Sequence, residues 1–186
     1  GTSLGSKNLA VESGSGAVSL VGTNTETGLL AAKTAGSFTY TYGGGGAADL
    51  AIDTLDGVEG VNSGGNAIAL SATGAISLNK AVNSGASAPL SITAAGTGFS
   101  QKAGASITAS GLRLTGSGTF IVNDPGNNVK TIAAAITGNV DVSSAVPLTV
   151  GTVTVGSNTT VGINTLGGSA KLASDQLTIT SAVKSG

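Results

Sequence analysis

The run Leu112-Arg113-Leu114-Thr115-Gly116-Ser117-Gly118-Thr119-Phe120-Ile121-Val122-Asn123-Asp124-Pro125-Gly126-Asn127-Asn128-Val129-Lys130-Thr131-Ile132-Ala133-Ala134 holds short apolar alternations separated by turn formers. A period of two sends successive side chains to opposite faces, the mark of a half-buried strand. Gly116, Gly118 and the cluster 123–128 punctuate it, because Gly, Asn and Asp accept the bends between strands. Similar short alternations occur at 17–21, 37–42, 67–70, 75–78, 90–93, 148–150, 152–155 and 177–180. Segments 29–33 and 131–136 contain helix formers. Gly36 and Gly138 cut them short, so both are read as strands.

The pattern repeats at two scales. Leu29 to Ala32 fall on Thr131 to Ala134 at a shift of 102, and Gly16 falls on Gly118 at the same shift. Leu50 falls on Leu148 at 98, and Ala81-Val82 on Ala182-Val183 at 101. The chain therefore reads as one continuous solenoid over 1–186, with large repeats at about 9–111 and 112–186, the second incomplete. Inside them, turn clusters recur about every 20 residues. That is one coil of a parallel β-solenoid, in which each strand bonds to its equivalents about 4.8 Å above and below. About nine coils are expected.

Composition agrees with a thin core. There are 31 Gly and 27 Ala, only 3% aromatic and 9% charged residues, and a mean hydropathy of +0.34. Small and β-branched residues suit a narrow interior, while Thr and Ser suit the outward strand positions. Tandem β-sandwich domains of about 90 residues are the alternative, since they too would repeat near 100. The absence of Trp and the even spread of Gly oppose them.

The same numbers exclude several functions. A net charge of -1 offers no attraction for nucleic acid. With no Cys and no His there is no disulfide framework, no usual zinc site and no His-dependent triad. No apolar run is long enough for a transmembrane segment. No cofactor is expected. The chain opens on Gly1 and contains no Met, which suggests a processed product or part of something longer.

The stretch 112–134, followed by Pro147-Leu148-Thr149-Val150-Gly151-Thr152-Val153, resembles the repeats of filamentous-haemagglutinin-type large exoproteins, and Leu9 to Gly85 is similar. The resemblance covers essentially the whole chain and lies in the style of the repeat. It implies a right-handed parallel β-helix: a structural shaft segment of a long bacterial cell-surface or secreted adhesin, holding binding elements away from the cell. It implies export through an outer-membrane barrel, although the family's N-terminal secretion domain is not in this sequence. Implied partners are neighbouring repeats or subunits along the axis and a host or matrix glycan or protein receptor. A head-to-tail extracellular filament subunit is the alternative reading. A carbohydrate-active solenoid enzyme is a remote one, and the chain is not expected to be an enzyme.

Few residues stand out as sites. Asp49, Asp53, Asp56 and Glu59 gather four of the nine acids within 11 residues, a candidate calcium edge. The preceding Gly43 to Asp49 run approaches a glycine-rich calcium motif but places its Asp one position late and occurs once. Phe38 and Tyr40 fall on Val140 and Val142 and are expected inside. Tyr42 falls on Ser144, which suggests a corner, so it is the surface-contact candidate.

Overall fold

A computed structural model describes residues 7–24, 28–43 and 46–186. Among the described residues there is no helix, and therefore none that could cross a membrane. The chain is an all-β parallel solenoid of about 8 turns. Apart from two short hairpins, every recorded strand pairing is parallel. Sandwich domains are built from antiparallel sheets, so that alternative is excluded.

One face of the coil shows why the alternating sequence folds this way. Val18, Phe38, Ile68, Leu90, Leu112, Ile132, Val150 and Ile179 stand in register, one per coil. Beside it runs a second column, two residues further along in the first six layers: Leu20, Tyr40, Leu70, Ile92, Leu114 and Ala134, continued by Ile163 and Val183. From Phe38 to Val150 and from Tyr40 to Ile163 these side chains are buried in a single core cluster. The residues between them point outward: Thr39, Ala69, Ser91 and Arg113 in one row, Thr41, Ser71, Thr93 and Thr115 in the next. A third column runs Leu50, Ile76, Phe99, Phe120, Val140 and Ala170 on a neighbouring face. In it the rings of Phe99 and Phe120 stack with centroids 6.5 Å apart.

The coil count falls one short of nine for a definable reason. A plain coil takes 20 residues, as from Leu112 to Ile132. Two coils are lengthened by hairpins, so that Phe38 meets Ile68 and Val140 meets Ala170 only after 30. The first hairpin pairs Thr54–Leu55 with Val58–Glu59 and lies against the strand Leu29–Thr34. The second pairs Thr152–Val155 with Asn158–Val161 and lies against Ile107–Ser117 and Asn128–Thr137, on a different face. Both are alternating segments that leave the wall of the coil.

Corners follow from backbone constraint. At Gly116 φ is +119°, and a Cβ there would lie 1.8 Å from the Ala94 carbonyl oxygen of the coil below. Only glycine combines that torsion with that approach. Asn62 and Asn83 stack in register at another corner, and each side-chain oxygen accepts a hydrogen bond from the backbone N–H two residues on.

Candidate binding groove

The candidate calcium edge does not assemble among the described residues. No group of three acidic side chains that could hold a metal forms among the described residues. Each acid has its own task. Asp49 accepts a 2.7 Å hydrogen bond from the Ala75 N–H of the next coil. Asp53 accepts from the Thr54 N–H at 2.8 Å and from the Asn79 amide at 2.9 Å. Asp56 sits exposed at the turn of the first hairpin with φ +50°, and Glu59 pairs with Lys80 at 2.8 Å. The physical reason is the topology: Asp49 and Asp53 lie at opposite ends of the wall strand Leu50–Ile52, Asp56 sits at the hairpin turn, and Glu59, opposite Thr54 at the hairpin base, turns to Lys80. Gly44 and Gly45 of the glycine-rich run lie outside the described residues.

The bonds from Thr54 and Asn79 hold the Asp53 carboxyl below its ordinary value. A carboxyl lowered by folding stabilises the fold above its unfolded pKa, about 3.9, and that contribution disappears as pH falls through the folded value. The group is mostly solvated, so the loss should stay below about 1 kcal/mol. Asp53→Asn is accordingly expected to flatten the acid limb by lowering stability at pH 7, by less than about 1 kcal/mol, with a smaller change at pH 3. Urea midpoints at pH 7 and pH 3 check this.

Tyr42 is not a surface platform. It is 7% exposed and packs in the main core. Ser144, its counterpart in the repeat alignment, is buried as well, accepting from the Val129 N–H and donating to the Val129 carbonyl. A small polar residue in the aligned position therefore did not mark a corner. Phe38 and Tyr40 are fully buried.

The more promising site is one the acids did not indicate. The second hairpin folds back over the outward side of the first face. Its Val153 and Val155 bury themselves on Ala133, with Ala67 and Ala69 alongside. Small residues at outward positions make this possible. A Cβ on Gly111 would lie 3.1 Å from Val153 Cγ1. Gly111→Leu is expected to unseat the hairpin, read as faster amide exchange over 152–161 with little change in the melting of the stack.

Arg113 lies beside the hairpin, half-buried on the same outward side. Its Nε donates to Thr160 Oγ1 at 2.8 Å, and its Nη1 to Ser91 Oγ at 3.1 Å. Burial lowers its pKa. Beyond it opens a groove of about 350 Å³ lined by Thr39, Thr41, Ser71, Thr93, Thr115 and Asn158, among others. Thr93 and Thr115 share a 2.8 Å hydrogen bond across adjacent coils. The groove thus joins one cation to rows of hydroxyl groups. Such a surface can hydrogen-bond and neutralise charge.

Arg113 was visible in the sequence as the sole arginine. Its setting was not, because Thr152–Val155 reads like any wall strand. The replacement of outward Thr or Ser by Gly111, Ala133 and Ala69 is the signal that something covers this face.

Comparison of the chain with protein-family models, with curated proteins and with solved structures finds no match.

Proposed function

We propose that this chain is a shaft segment of a long bacterial cell-surface or secreted adhesin, of the filamentous-haemagglutinin type that its repeats resemble. Its work on this reading is mechanical. Axial hydrogen bonds between coils and continuous apolar columns make a stiff rod that holds binding elements away from the cell. Catalysis has no part in it.

The observation that supports the reading best is the last coil. Val150 is fully buried, whereas Ile179, above it in the same column, is 60% exposed. Ile163 is 1% exposed, and Val183 above it is 38% exposed. These side chains have the spacing and chemistry of core residues and await a further layer. Burying them and their column mates would release roughly 1.5–3 kcal/mol for each large aliphatic side chain covered. An open apolar end is what a segment within a longer stack would have. It also favours a second reading, a filament subunit stacking head to tail.

Antibodies against the chain, conjugated to gold and applied to intact cells of the source organism, test the proposal. Label along projections at a fixed distance from the envelope is expected. Label confined to the cell interior would overturn it. Label on detached fibres made of this chain alone would favour the filament.

A further inference from the structure

We propose that the groove beside the second hairpin binds a carboxylated saccharide, a hexuronate unit of an acidic glycan, with Arg113 pairing to its carboxylate. This goes beyond the mechanical reading, because it places a ligand on the side of the shaft.

The first argument is the unpaired cation. Arg113 is the one arginine of the chain, and no carboxylate lies within ion-pair distance of it among the described residues; the two ion pairs found there belong to Lys80 and Lys171. Partly desolvating a guanidinium without an anion costs free energy that a bound carboxylate would recover. The second argument is orientation. Thr160, Ser91 and Thr115 take the Nε and Nη1 protons, at 2.8, 3.1 and 3.4 Å, and so fix the plane of the group. The two protons on Nη2 have no partner among the described residues. An arginine held in this way is pre-organised for recognition, and little side-chain entropy remains to be lost on binding.

The third argument concerns the rest of the ligand. Thr39, Thr41, Ser71 and Thr93 stand outward in two rows, stepped by the coil spacing of about 4.8 Å. Asn158 adds an amide at the hairpin tip. Hydroxyl and amide groups in rows match a polyhydroxylated ring, whereas a peptide partner would want an apolar pocket for an anchoring side chain. The groove's volume of about 350 Å³ lies at the small end of ligand sites, which suits one or two sugar rings.

The test is an amide-shift titration of the 186-residue chain with a linear trimer of glucuronate, alongside neutral cellotriose and triglutamate. Glucuronate trimer is expected to shift Arg113, Thr93 and Asn158 and leave the far face untouched. Cellotriose and triglutamate should each bind at least tenfold more weakly. Arg113→Gln should weaken trimer binding at least tenfold. Ser71→Leu, which narrows the groove without touching the guanidinium, should weaken it as well, and this guards against a variant of Arg113 that disturbs the hairpin. The proposal fails if the trimer produces no localised shifts, if both variants bind like the parent, or if triglutamate binds as tightly as the trimer, which would make the groove a site for acidic peptides.

Discussion

Asn127→Leu is expected to be among the costliest single changes to the fold, about 3–5 kcal/mol, because five hydrogen bonds, two of them buried and three part-buried, lose a partner, at about 1–3 kcal/mol for each group left without one. Asn127 is fully buried where three coils meet. Its side-chain oxygen accepts from Gln101 Nε2 at 2.7 Å and from the Ile107 N–H at 2.8 Å. Its amide nitrogen donates to Gln101 Oε1 at 3.1 Å and to the carbonyls of Val122 and Ser143 at 3.2 and 3.3 Å. Leucine has a similar volume and none of these groups, so the loss is one of hydrogen bonding more than of space. Gln101 also accepts from the Asp124 N–H at 3.0 Å, and Asp124 accepts from the Gly104 N–H, so the disturbance spreads through the corner. Urea titration followed by circular dichroism checks the figure. A loss under 1 kcal/mol would mean that the corner is hydrated and that the network is not needed.

The second large effect is expected from Phe120→Ala, about 3–5 kcal/mol by analogy with other buried aromatic truncations. Phe120 has no exposed surface and stacks on Phe99 of the preceding coil, with Val140 following it in the column. A thin solenoid core has no second layer of side chains to collapse into the gap. Each coil is also supported mainly by its neighbours, so a cavity in the fifth layer weakens the stack on both sides. The same titration, with amide exchange resolved by coil, checks this. Loss of protection should centre on 98–101, 119–122 and 140–143. Uniform protection with an unchanged midpoint would show the column to be unimportant.

What the sequence revealed and what it hid have the same physical origin. Period two says which side chains share a face, so the inward set Phe38, Tyr40, Leu112, Leu114 and Phe120 was readable, as was the solenoid. Period two does not say which strand is the partner. Thr152–Val155 alternates like Leu148–Val150, yet one pairs antiparallel in a hairpin and the other parallel in the wall. That ambiguity accounts for the extra coil expected and for the groove that went unseen. Proximity in sequence does not bring Asp49, Asp53, Asp56 and Glu59 together, because an extended chain advances about 3.3 Å per residue and the wall strand and the hairpin turn point these side chains to different partners. Arg113, Ser91 and Thr160 are distant in sequence and meet only through stacking and the fold of the hairpin.

The shaft reading is tested most directly by electron microscopy of the native particle that contains this chain. Eight coils span on the order of 40 Å at about 4.8 Å per coil. The expected result is a rod of uniform width, well beyond that length, with a strong 4.8 Å axial spacing and no break where Ile179 and Val183 end this segment. A discrete particle no longer than eight coils, with those residues covered by a closing cap, would contradict the account.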